Sequence, residues 1–199
     1  DVLTGQVEVG EGLAEAFVSY GVPLNPDDLT LDVFVRVTDT KLMEDPFDDL
    51  DIEGKGRTFA LRLSQPVLRT PNQQLILAGG LDLRWSKSKL LGEPFSFSPG
   101  VPDDGEVDLS VLRFIQDWNT RSRSRVLAVR STFSLGVDAF GATTNSGDLP
   151  SGEFFSWLGQ LQYLQRFGDN GNELFARVDA QWTDDALFGP EQFAVGGIY

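Results

Sequence analysis

The sequence predicts an all-β fold: an antiparallel up-and-down β-barrel that crosses a membrane with strands. Three observations carry that reading. Four stretches alternate apolar with polar residues, fold back at a short turn and resume the alternation. The short turns, at residues 25–28, 70–73, 121–124 and 169–172, recur at about the spacing of one long hairpin, and longer polar loops join each hairpin to the next. The strands so delimited run to roughly ten residues or more, beyond the usual globular length and enough to cross a bilayer.

The first hairpin joins residues 13–24 to 29–38 through Asn25-Pro26-Asp27-Asp28, whose Pro and Asp favour a tight reversal. Leu29, Leu31, Val33, Val35 and Val37 share one parity, and Thr30, Asp32, Phe34, Arg36 and Thr38 the other. Because a strand sends odd and even residues to opposite faces, one side of this segment needs apolar surroundings and the other needs water. An acidic loop, 39–56, follows. The second hairpin pairs 57–69 with 74–85: Phe59, Leu61 and Leu63 lie on one face, as do Leu75, Leu77, Leu81, Leu83 and Trp85. Pro66 cannot donate to a ladder, which predicts a bulge or twist there.

The third hairpin, 106–121 and 125–140, changes parity: Val107, Leu109 and Val111 give way to Leu112, Phe114 and Trp118, which predicts one extra residue near Val111. The fourth, 154–167 and 173–182, sets Phe155, Trp157, Leu161, Tyr163 and Phe167 on one face, and Leu174, Ala176, Val178, Ala180 and Trp182 on one face of its partner. Trp85, Trp118, Phe140, Phe154, Phe155, Phe167 and Trp182 fall near strand ends, as in interfacial aromatic girdles.

Composition excludes several classes. At 41% hydrophobic residues the chain is ordinary for a soluble protein, but a barrel hides its apolar face by alternation. No segment approaches the roughly 20 consecutive apolar residues of a spanning helix. A net charge of −14 argues against nucleic acid as a partner. With no Cys and no His there are no disulfides, imidazole bases or usual zinc ligands. Neither a nucleophile elbow nor a phosphate-cradling loop is present, so no enzyme activity, no nucleotide and no cofactor are expected. Asp49, Asp51, Glu53 and Gly54 mimic the opening of a calcium loop, but the closing Glu position holds Ala60 and no metal site is expected. The opening Asp1–Gly5 lacks a charged n-region and an apolar h-region, so either a signal has been removed or the chain is a piece of something longer.

The charges opposite the apolar parity are the informative residues. Asp32, Arg36, Arg62, Asp82, Arg84, Arg177 and Asp179 sit mid-strand, where a dry interior would penalise each unpaired ion by several kcal/mol. A wet lumen removes that penalty, which makes them candidates for the lining of an aqueous conduit. The competing reading is the solvated face of a soluble sheet.

Four stretches add a resemblance: Leu91-Gly92-Glu93-Pro94-Phe95-Ser96-Phe97-Ser98-Pro99-Gly100, Val111-Leu112-Arg113-Phe114, Phe154-Phe155-Ser156-Trp157-Leu158-Gly159-Gln160, and Gly189-Pro190-Glu191-Gln192-Phe193-Ala194-Val195-Gly196-Gly197-Ile198-Tyr199. Together they resemble the barrel domain of the hemolysin secretion/activation family, the outer-membrane transporters of two-partner secretion within the Omp85 superfamily. The last stretch is the most specific, because in that family it leads into the tip of a loop that folds back into the lumen. The resemblance implies a sixteen-stranded barrel preceded by two periplasmic POTRA domains, placed in the bacterial outer membrane and exporting and activating a secreted partner exoprotein. Residues 1–199 then read as a partial barrel domain of eight strands and the start of a ninth, without the POTRA domains and the remaining strands. Gly196, Gly197 and Tyr199 correspond to the approach to the lumen loop, whose gating residues lie beyond Tyr199. Outer-membrane lipid is the second expected partner. Open alternatives are an Omp85-type assembly factor, a diffusion porin and a soluble β-sheet binding module.

Overall fold

Alternation becomes strand almost throughout residues 1–43, 48–168 and 171–193, the parts described by a computed structural model. In chain order the strands are β1 (Val2–Gly10), β2 (Leu13–Pro23), β3 (Thr30–Lys41), β4 (Glu53–Arg69), β5 (Gln73–Leu90), β6 (Glu93–Pro94), β7 (Glu106–Arg121), β8 (Arg125–Gly136), β9 (Phe154–Phe167) and β10 (Asn172–Thr183). Single 3-10 turns occupy Asp48–Leu50 and Gly189–Glu191. Every pairing is antiparallel. The ten strands form one sheet in sequence order, except that β5 pairs directly with β7 and the two-residue β6 adds to the end of β5. β1 and β10 each have one neighbour, so the sheet is open, as expected of a portion of a larger barrel. Among the described residues no helix is long and apolar enough to cross a membrane.

The short turns fold for local reasons. Asn25 Oδ1 accepts hydrogen bonds from the backbone N–H of Asp27 at 3.0 Å and of Leu29 at 2.9 Å, closing the first reversal. Thr70 Oγ1 accepts from Gln73 N–H at 3.0 Å in the second. These turns share one end of the sheet. At the other end lie the longer connections, with one departure from the expected asymmetry: β1 and β2 are joined there by Glu11 and Gly12 alone.

The ninth long strand is β1, at the N-terminus. Its alternation is broken by Gly5 and Gly10, and all of its residues are exposed, which left it without a sequence signal. β3, β4 and β5 run further into the loops than expected, shortening the acidic loop to 42–52, whereas β8 stops at Gly136 instead of reaching Phe140. The bulge at Pro66 is present as a register shift between Pro66 and Leu68. The expected extra residue near Val111 is not there. β7 pairs with β5 from Thr120 to Glu106 without a shift, and with β8 from Val111 to Arg121 likewise. Val107, Leu109 and Val111 therefore lie on the opposite face from Leu112, Phe114 and Trp118. They are buried there against Phe154, Leu187 and Phe188.

Register partners share a face, so the pairing carries one side of the sheet across all long strands. The apolar side holds Leu31, Val33, Val35, Phe59, Leu61, Leu81, Leu83, Phe114, Val129, Phe133, Leu161 and Val178. No part of the described chain covers it: Val35 keeps 44% of its surface, Phe114 44% and Val178 59%. Trp85, Trp118, Phe155, Phe167 and Trp182 are also exposed, and Phe155 stacks edge-on against Trp182 at 6.2 Å between centroids. Phe154 departs from the girdle expectation, since it is buried in the cluster on the other face.

Candidate functional site

The polar side is built by the same parity. Asp32 and Arg62 face each other across β3 and β4; Arg36 faces Thr58; Ala60 faces Asp82; Thr58 faces Arg84; and Asp179 faces Gln160 across β10 and β9. Arg177, two residues from Asp179 and opposite Gln162, shares that side. All seven sequence-predicted residues thus fall on one face. They do not converge on a single point but spread from β3 to β10.

Most of the charge on this face is neutralised in place. Arg36 pairs with Glu15 at 3.6 Å and lies over the Phe17 ring, 5.4 Å from its centroid. Arg62 lies over Phe34 at 5.8 Å, which accounts for two aromatic side chains on a polar surface: their faces carry guanidinium groups. Arg130 donates to both oxygens of Asp117 at 2.6 and 3.0 Å. Asp179 accepts from Arg177 at 2.6 Å and from Gln160 at 2.9 Å.

The densest cluster holds two residues that parity reasoning missed as functional, Arg113 and Glu191. Arg113 Nε donates to Asp82 at 2.6 Å, Nη1 to Ser134 Oγ at 2.7 Å, and Nη2 to the Glu191 carboxylate at 2.8 and 3.1 Å. Arg84 adds a contact to Glu191 at 3.0 Å and one to Asp82 at 3.7 Å. Asp82 and Glu191 are buried, and two cations compensate two carboxylates. Arg113 had a signal: with β7 unbroken, its parity matches Val111, the partner of Asp82. Glu191 lies in the stretch of most specific resemblance, but alternation could not place it, because its contact closes over 78 residues of chain.

Glu191 belongs to the chain after β10, which turns back onto the polar side. Leu187 and Phe188 seat on Val107, Leu109, Val111 and Phe154. Pro190 carbonyl oxygen accepts from Arg84 Nη1 at 2.9 Å, Glu191 carbonyl oxygen accepts from Gln181 Nε2 at 2.8 Å, and Phe193 N–H donates to Gln181 Oε1 at 2.8 Å. One short segment therefore touches β5, β7 and β10, strands that a flat sheet would spread over about 19 Å. The sheet curls toward its charged side. There a cavity of about 580 Å³ meets Arg36, Arg62, Asp82, Arg113, Arg130 and Gln160, from six successive long strands. Among the described residues Arg62 Nε, Arg84 Nε and Asp82 Oδ1 are buried without a hydrogen-bond partner.

Other sequence-predicted residues fall elsewhere. Gly196, Gly197 and Tyr199 lie outside the described residues. Of the calcium-like stretch, Asp51 is ion-paired with Lys41, and Glu53 and Gly54 begin β4.

The comparisons with known proteins agree with this geometry. A family model described as haemolysin secretion/activation protein ShlB/FhaC/HecB matches residues 10–199. The solved structure of CdiB from Escherichia coli superposes with a TM-score of 0.73 over 94% of this chain, at 21% sequence identity, which establishes likeness of fold. The chain spans about a third (34%) of that structure's length. No curated protein matches.

Proposed function

From its membership of the haemolysin secretion/activation family, to which this chain belongs, we propose that the protein is the outer-membrane pore of a two-partner secretion system, exporting and activating a partner exoprotein through a hydrated barrel. The observation that carries the reading is the segregation of side chains. Across nine long strands one face is aliphatic and aromatic and left uncovered by the described residues, while the other is charged, curled inward and bounds a cavity.

On this reading the aliphatic face meets acyl chains, and backbone groups are satisfied strand to strand, as a bilayer requires. Asp32, Arg36, Arg62, Asp82, Arg84, Arg177 and Asp179 line the lumen, joined by Arg113, Asp117 and Arg130. Charges held in pairs present polar atoms of both signs to a passing chain without trapping it by one strong field. Residues 1–199 are then a partial barrel domain, with the loop that approaches the lumen passing through Gly196, Gly197 and Tyr199. Long connections such as 42–52 and 95–105 face outward, and the short turns face the periplasm.

Deleting the full-length gene tests the proposal. The expected outcome is loss of one large exoprotein from the culture medium, with other outer-membrane barrels at normal abundance. A general loss of barrels would assign the protein to membrane assembly, and unchanged secretion would remove the export reading.

A further inference from the structure

We propose that Glu191 is a positioning residue: with Arg84 and Arg113 it latches the chain that follows β10 onto the charged face, holding that segment across the conduit. The latch itself rests on contacts. Its effect on passage rests on the export reading above.

Two kinds of contact seat the segment. Leu187 and Phe188 pack on Val107, Leu109, Val111 and Phe154 near the loop end of β7. Further in, the 3-10 turn closed by Glu191 N–H on Phe188 carbonyl at 2.9 Å aims the carboxylate at Arg113 and Arg84. The second contact is electrostatically separable from the sheet. Asp82 already touches Arg113 at 2.6 Å and Arg84 at 3.7 Å, so without Glu191 the sheet retains an ion-paired trio with one excess positive charge. Glu191 cancels that charge, and its own burial is tolerable only while docked. Docking is therefore coupled to the arginine pair: a competing anion, or an acidic stretch of a passing chain, would contest the same guanidinium groups.

The test uses the full-length protein in lipid, with a spin label on Phe193→Cys; these 199 residues contain no cysteine, and the Phe193 side chain is exposed while its backbone N–H makes the bond to Gln181. In the Glu191 background the label is expected to be immobile. Glu191→Gln is expected to raise the ratio of mobile to docked label about tenfold or more, the effect of losing charged hydrogen bonds. Glu191→Asp, which keeps the charge, is expected to stay mostly docked. Equal spectra for the Glu and Gln forms would overturn the latch, and so would equal release by Gln and Asp. Heat-modifiable gel migration confirms that each variant is folded. Planar-bilayer conductance is recorded on the same samples. Release of the label with no ion current in any variant leaves the latch standing and removes the conduit, so the two failures are distinguishable.

Discussion

Arg113 concentrates the energetics of the charged face in one side chain. Its three nitrogens serve Asp82, Ser134 and Glu191, and only about a tenth of the side chain reaches solvent. Removing it leaves two buried carboxylates to a single cation, Arg84, which is the circumstance in which breaking a buried pair is most destabilising. Arg113→Met is expected to lower folding stability by about 3–5 kcal/mol. Arg36→Met should cost less than about 1 kcal/mol, because half of the Arg36 side chain is exposed and its partner stands at 3.6 Å. Urea titration of the heat-modifiable form in detergent measures both, and equal midpoints would mean that water screens the central cluster as fully as the rim. The seven charges named from sequence are legible because parity alone fixes a face. The Arg113–Glu191 contact is not, since alternation describes neighbours in a strand and says nothing about a segment returning from the far side of the sheet.

At the scale of elements, β7 explains both a correct reading and an error. Its apolar residues switch parity, which predicts an inserted residue; the other possibility is an unbroken strand whose apolar residues change face between Val111 and Leu112. The register selects the second, because the return of the chain after β10 supplies a protein surface that Val107, Leu109 and Val111 can bury against. Local pattern could not contain that partner. β1 was illegible for the opposite reason, with glycines interrupting a short alternation that none of the described residues covers. The same cluster rests on a close backbone approach: a Cβ on Gly136 would stand 2.4 Å from the Phe154 ring and 2.1 Å from the Gly152 carbonyl. Gly136→Val is expected to displace Phe154 and loosen the connection 137–153 while the strands themselves persist. Limited proteolysis should show new cleavage confined to that connection, with heat-modifiable migration retained; an unaltered cleavage pattern would show that Gly136 does not hold the approach.

For the whole molecule, the fold follows from pairing that keeps one side apolar from β1 to β10, and the proposed function follows from what each side meets. The fold class, the hairpins and the polar face were readable because period-two alternation is a property of the chain itself, whereas curvature and the inward return depend on contacts closed over long separations. A pair of substitutions on opposite faces separates the membrane reading from a soluble sheet. Leu81 sits midway along β5 on the apolar side, and Thr132 lies in β8 on the side that bounds the cavity. If the apolar side meets hydrocarbon, Leu81→Arg places a guanidinium near the bilayer midplane and is expected to cost about 2–4 kcal/mol of folding into lipid vesicles. Thr132→Arg adds a cation to an already hydrated, charged surface and is expected to leave folding within about 0.5 kcal/mol, while altering ion selectivity toward anions. In a soluble sheet Leu81 would face a protein core and Thr132 bulk water, so the order of folding penalties would be the same, but Thr132→Arg would alter no ion current. Urea midpoints of the full-length protein in vesicles, with selectivity recorded in planar bilayers, decide between them. A larger folding penalty for Thr132→Arg than for Leu81→Arg would place water on the side assigned to lipid.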